Sequence, residues 1–139
     1  LKILVSACLM GKNCKYNGGN NYNPKVDEFL TGKEIIMICP EMLAQLGIPR
    51  NCAEIANGKV IDIMGKNVDK DYRRGVDLAL RKVQNEQIDL AILQSRSPTC
   101  GVHQIYDGSF SGTLIQGQGL FAKALISRGF KVLDADEFQ

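Results

Sequence analysis

The sequence predicts one α/β domain over residues 1–139, a mainly parallel sheet with helices on both faces in the manner of a Rossmann-like three-layer sandwich. Three observations carry this. Ile3–Ala7, Ile35–Cys39 and Leu90–Leu93 are short, continuous apolar runs, the pattern of strands covered on both sides. Helical segments lie between them, and turn-forming residues follow each run. A chain of 139 residues is long enough for one buried core.

After the first run comes Cys8-Leu9-Met10-Gly11-Lys12-Asn13-Cys14-Lys15-Tyr16-Asn17-Gly18-Gly19, a loop in which Asn17-Gly18 favours a tight reversal. Pro24 suits the first position of a helix running to about Leu30, with Asn23 as its cap. Pro40 ends the second apolar run, and Glu41 to Leu46 reads as a short helical turn closing near Gly47. Gly58 to Met64 gives a weaker strand or hairpin signal. The longest helix is expected over Val68–Gln87, with Tyr72, Val76, Leu80 and Val83 on one face. Asp69 and Asp71 near its start and Arg81 and Lys82 near its end suit the helix dipole. After Leu90–Leu93 come two loops, around Ser97 and from Tyr106 to Gly112. An amphipathic helix over Gly119–Arg128, closed by Gly129, precedes a last strand at Lys131–Leu133.

Composition removes several function classes. The net charge is +2, aromatic residues make up 6%, and the chain has no basic run, so nothing points to nucleic acid. The apolar start is shorter than a signal sequence and runs straight into a polar loop, and no segment reaches the length of a membrane span. A cytoplasmic protein with no membrane association is the expectation.

Cysteines stand at 8, 14, 39, 52 and 100. An odd, dispersed set in a chain with an ample core does not read as a disulfide framework. Cys8 follows the first apolar run, Cys39 ends the second, and Cys100 lies shortly after the third. If those strands are adjacent and parallel, all three thiols meet at the carboxyl edge of the sheet, where α/β proteins bind ligands. Converging thiolates suit a soft metal or an iron–sulfur cluster. The paired C-x-x-C spacing of structural zinc sites is missing, although His103 could supply a fourth ligand. Cys14 reads as a substitute ligand, a redox partner or a plain loop thiol, and Cys52 as a packed or surface thiol.

Other side chains are expected beside the cysteines. Glu41, two residues past Cys39, could move protons in the same crevice or simply stabilise a helix start. Ser97 could orient a substrate or only cap a turn. Arg50 and Arg96 lie in loops on the expected ligand side and could receive an anionic or carbonyl group, whereas Arg73, Arg74 and Arg81 read as a solvated helix face. Ser111, with Gly18, Gly19, Asp107, Gly108 and Gly112, is a candidate for the rest of the wall. The glycine spacings match no nucleotide-binding pattern.

These motifs together resemble a known family. Val5-Ser6-Ala7-Cys8-Leu9-Met10-Gly11, Cys14-Lys15-Tyr16-Asn17-Gly18-Gly19, Cys39-Pro40-Glu41, Pro49-Arg50, Ser97-Pro98-Thr99-Cys100-Gly101 and Asp107-Gly108-Ser109-Phe110-Ser111-Gly112 are similar to a bacterial and archaeal family. That family was long catalogued as a domain of unknown function and is now linked to thiouracil desulfidases. The likeness covers essentially the whole chain. It implies a [4Fe-4S] cluster on Cys8, Cys39 and Cys100, leaving one iron open to take the sulfur of a thiolated pyrimidine. It implies non-redox carbon–sulfur hydrolysis to uracil and hydrosulfide, with Glu41 as the acid–base residue and Ser97 orienting a small-molecule substrate. Arg50, Arg96 and Ser111 are the expected substrate contacts. Such a cluster is expected to be oxygen-labile and lost from aerobically prepared protein. Two segments depart from the family pattern: Gln45-Leu46, where many relatives have a glycine pair, and Asn51-Cys52, in place of a proline-containing segment. The alternative reading is a cluster- or sulfur-binding module without turnover.

Overall fold

In the computed structural model, which describes residues 1–138, the first apolar run forms strand β1 (Lys2–Ser6). It passes through a 3-10 turn (Ala7–Met10) to helix α1 (Pro24–Leu30), strand β2 (Glu34–Ile38) and the short helix α2 (Pro40–Leu43). A hairpin follows, β3 (Ala53–Ala56) with β4 (Lys59–Asp62), then the long helix α3 (Asp69–Val83) and strand β5 (Leu90–Leu93). A second hairpin, β6 (Gln104–Tyr106) with β7 (Leu114–Gln116), leads to α4 (Leu120–Ser127), β8 (Val132–Asp134) and a closing 3-10 turn (Ala135–Glu137).

Four strands in the order β2-β1-β5-β8 make one parallel sheet. Successive side chains of a strand point to opposite faces, and the core divides accordingly. Leu4, Ala91 and Leu93 join Val76, Ala79, Leu80 and Val83 of α3 and Phe121, Ala122 and Leu125 of α4 in one buried cluster. Ile3, Val5, Leu90 and Ile92 join Val26 and Leu30 of α1 in another. Among the described residues, no helix is long and apolar enough to cross a membrane.

Local chemistry accounts for the helix starts. The Asn23 side chain accepts from the Lys25 and Val26 amides, and Pro24 occupies the first position, where no amide is needed. Helix α3 is shorter than its periodicity suggests: the Glu86 amide bonds back to the Val83 carbonyl and closes a turn instead of another helical residue. The strands of the second hairpin, three residues each, and β3 are too short for side-chain alternation to mark them.

One glycine sets how α2 lies. A Cβ at Gly75 of α3 would stand 2.2 Å from the Pro40 carbonyl oxygen. Its absence lets the start of α2, and with it Cys39 and Glu41, rest directly on α3.

Candidate functional site

Because β2, β1 and β5 are neighbours and parallel, Cys8 in the turn after β1, Cys39 capping α2 after β2, and Cys100 in the loop after β5 reach the same sheet edge. Strand order reverses between β1 and β5, the position where open α/β sheets bind ligands. A cavity of about 460 Å³ opens there. Its wall contains Cys8, Cys39 and Cys100 and also Glu41, Arg50, Arg96 and Ser97. Cys14 and Cys52 lie on it as well.

The loop that carries Cys100 is fixed from several sides. Ser97 Oγ accepts from the Thr99 and Cys100 amides, both at 3.0 Å. The first amides of α4, which have no partner within the helix, bond outward to this loop: Leu120 to the Pro98 carbonyl (2.9 Å) and Phe121 to the Thr99 carbonyl (2.8 Å). Gly119 permits that approach, since a Cβ there would lie 2.4 Å from the Thr99 carbonyl carbon. Buried Asp134 accepts from Ser95 Oγ and from the Val102 amide (3.2 Å), tying both ends of the loop to β8. Arg96 sits at its turn with φ 62°, in the left-handed region.

The thiols are not equivalent. Hydrogen bonding from the Cys14 thiol, whose single proton serves one of them at a time, works against burial to lower Cys8 and Cys39 below the ordinary thiol value. Cys8 falls to about 7, helped by a hydrogen bond from the Asn21 side chain. Cys39 gains from the Met42 amide and the nearby Arg50 charge. Cys14 is pushed up in return by those same contacts. Burial raises Cys100 well above the usual range, partly offset by a hydrogen bond from Ser6. Donors that favour a thiolate make Cys8 and Cys39 good ligands for a soft metal.

Glu41 stands in a polar network that the sequence did not disclose. Its Oε1 accepts from Arg50 Nε at 3.0 Å, with Arg50 Nη2 also 3.0 Å away in the same ion pair, and from Tyr72 Oη at 3.3 Å. Its Oε2 accepts from Thr99 Oγ1 at 3.0 Å. Arg50 also donates to the Gly47 and Cys14 carbonyls and, at 3.9 Å, to Met42 Sδ of α2. One guanidinium therefore joins the Cys14 loop, the end of α2 and the carboxylate. Tyr72 and Thr99 are 5% and 1% exposed. Their one sequence signal is a hydroxyl at a position otherwise destined for the core, where it must find a partner.

Among the described residues, no group of three or more His, Cys, Asp or Glu side chains is arranged to hold a single metal ion. Cluster thiolates each bind a different iron, so a single-ion arrangement is not what such a group requires. The donor set fits in kind: sulfur ligands around one cavity, with N–H and O–H groups directed at three of them.

Comparison with known proteins agrees with this donor set. The model of a family described as 2-thiouracil desulfurase matches residues 3–137. The chain belongs to that family. A Bacillus subtilis relative, the uncharacterized protein YbbK, is 34% identical over 97% of this chain and 96% of its own length. A solved structure described as the [4Fe-4S]-dependent thiouracil desulfidase TudS superposes with a TM-score of 0.90 at 33% identity, covering 98% of this chain and 91% of that one.

Gln45 takes φ 59°, the left-handed conformation that favours glycine, at the position where the resemblance leads to the expectation of a glycine pair. Cys52, in the second departing segment, enters the cavity wall just before β3. Seven of the expected site residues thus share one cavity. Ser111 does not: Glu54 Oε1 accepts from the Gly108 and Phe110 amides and docks the second hairpin on the first, leaving Ser111 exposed and bonded to Ser109 and Thr113. The wall on that side is made by Glu54 and Tyr106. His103 pairs with Glu137, with its side chain 61% exposed. The Arg96 guanidinium turns to Asp136 at 2.8 Å.

Proposed function

We propose that the chain removes sulfur from a small thiolated heterocycle such as thiouracil by non-redox carbon–sulfur hydrolysis, using a [4Fe-4S] cluster held by Cys8, Cys39 and Cys100. The observation that carries this reading is the convergence of those three thiols on the cavity that also contains Glu41. When bound, the cluster would supply a soft, Lewis-acidic iron for the thiocarbonyl sulfur.

The chain's own residues do the rest. Water adds to the ring carbon, the carbon–sulfur bond breaks, and hydrosulfide leaves; no electrons are exchanged. Glu41, held by Arg50 and Thr99, takes one proton of the water and returns it to the departing sulfur, and the second water proton passes to solvent as the ring carbonyl forms. Ser97 uses its oxygen to accept two amides, so its hydroxyl proton is left to orient a ring substituent of the substrate. Arg50 and Arg96 stand on the wall, but to contact substrate Arg96 would have to release Asp136 and Arg50 its present partners; the reading depends on neither of them, nor on Ser111. It takes residues 1–139 as one domain with Rossmann-like three-layer packing. Five free thiols and an oxygen-labile cofactor suit the reducing cytoplasm.

The test is anaerobic reconstitution with iron and sulfide, then iron analysis, an absorption spectrum and hydrosulfide release from thiouracil. Uptake of about four irons per chain with turnover that Glu41→Gln abolishes supports the enzyme. Uptake without turnover on any thiolated heterocycle would make the chain a cluster- or sulfur-binding module. No uptake would remove the reading.

A further inference from the structure

Two carboxylates stand on the wall of the cavity, Glu41 and Glu54. Both oxygens of Glu41 are engaged, by Arg50, Tyr72 and Thr99. Glu54 is placed by β3. Its neighbour Ala53 packs with Val60 and Tyr72 in a buried cluster, and alternation along the strand turns Glu54 to the opposite side, toward the second hairpin. There its Oε1 accepts from the Gly108 amide at 3.0 Å and from the Phe110 amide at 3.1 Å. The turn comes this close because residue 108 is a glycine: φ is 94°, and a Cβ would stand 2.7 Å from the Ala56 Cβ.

Two backbone donors on one oxygen fix the carboxylate and leave its other oxygen over. Among the described residues, Glu54 Oε2 accepts no hydrogen bond, and no Lys, Arg or His pairs with the side chain. Every buried side-chain nitrogen and oxygen among them has a partner. Oε2 is therefore not buried: it is the open acceptor of a half-buried residue on the cavity wall. An ionised carboxylate oxygen only accepts hydrogen bonds. One already held in place binds an N–H donor at little cost in ordering.

We propose that Glu54 Oε2 accepts a ring N–H of the substrate. The site then takes cyclic thioamides with a free ring N–H and discriminates against their N-alkylated forms. The inference rests on the desulfuration reading above and adds to it a residue that binds substrate and takes no part in proton transfer. The N–H persists while the carbon–sulfur bond breaks, so the contact acts on binding and not on the chemical step.

The experiment measures steady-state hydrosulfide release by the anaerobically reconstituted chain, with iron content and Tm in parallel. The probes are thiouracil, its two N-methyl isomers and an isomer methylated on a ring carbon, which has the same bulk and keeps both N–H groups. Glu54→Gln is the deciding variant: its amide oxygen still accepts from Gly108 and Phe110, while the second position becomes a donor. For the wild type, kcat/KM should fall about tenfold for at least one N-methyl isomer, the loss expected for a hydrogen bond to a charged group, and change little for the carbon-methylated one. Glu54→Gln should raise KM for thiouracil about tenfold with kcat little changed, and should no longer tell thiouracil from that N-methyl isomer. Its iron content and Tm should match the wild type. Wild-type turnover of both N-methyl isomers as fast as the parent would overturn the inference, whether or not the variant folds. So would a Glu54→Gln chain that loads iron and keeps the wild-type KM and preference; either result leaves the desulfuration reading intact. Absence of wild-type turnover on every probe would remove that reading and this inference with it.

Discussion

Replacing Thr99 by valine tests whether the carboxylate at the site works as a positioned group. Valine keeps the shape of a side chain that is 1% exposed and removes only the hydroxyl that donates to Glu41 Oε2 at 3.0 Å. A hydrogen bond to a charged group stabilises by about 1.5–3 kcal/mol. Glu41 is 17% exposed, so water can partly replace the lost donor, and the lower end applies, about 1.5 kcal/mol. Arg50 and Tyr72 still hold Oε1, so the charge stays and the carboxylate gains freedom to rotate. If orientation matters chiefly in the transition state, kcat falls by about tenfold and KM changes little. The assay is steady-state hydrosulfide release from thiouracil by anaerobically reconstituted protein, with iron content and Tm measured in parallel. Thr99→Ser restores the donor and should recover most of the rate. A Thr99→Val protein with normal iron content and an unchanged kcat would refute the reasoning, as would a serine variant no better than the valine one.

Gly75→Ala places a methyl group 2.2 Å from the Pro40 carbonyl oxygen. Overpacking of this kind costs about 1–3 kcal/mol, read as a fall in Tm, and the displaced α2 should reduce iron uptake as well. In the metal-free chain, Cys8 should be alkylated by iodoacetamide with a half-maximal rate near pH 7, since its value lies at about 7. Cys14→Ala removes the main donor to that thiolate, so the midpoint should move to higher pH, as peptide mass mapping would show. Burial works to raise the Asp69 carboxyl, but the Arg73 guanidinium and the Val60 amide outweigh it and hold the group below its ordinary value. A carboxyl lowered in the folded state adds stability above its unfolded value, about pH 4, and loses it as pH falls through the folded one. The stability advantage over Asp69→Asn, measured by urea unfolding, should therefore be largest near neutrality and shrink in acid.

The inner strands of the main sheet, β1 and β5, were legible because they are covered on both sides and so cannot alternate: Leu90–Leu93 falls at the same residues in sequence and structure. The edge position of Cys8, Cys39 and Cys100 followed from where those runs stop. The network around Glu41 was not legible, because it joins residues 31 and 58 positions away through hydroxyls. Tyr72 counted as a core residue on its helical stripe, and nothing in that periodicity says which way its hydroxyl points. Ser111 looked like a wall residue because its glycine-rich loop resembles a ligand loop. The contact that turns it outward, Glu54 to the Gly108 amide, spans 54 residues. Long-range polar pairing has no period, so pattern reading finds the scaffold and misses what the scaffold brings together.

The pairing of β1 with β5 joins Ile3 to Leu90, across most of the chain. Closing so long a loop is entropically costly and comes late relative to local helix formation. During synthesis, Cys8, Cys14 and Cys39 emerge well before Cys100, and they reach one another through the neighbouring β1–β2 pair. Cys100 joins them only when the last part of the sheet has assembled. The three buried clusters of the core consist mainly of apolar side chains, with Cys100 among the members of the first, and their removal from water drives collapse. On the proposed function, iron would enter a pocket whose walls that collapse has already shaped, and a cell short of iron should accumulate folded, empty chains.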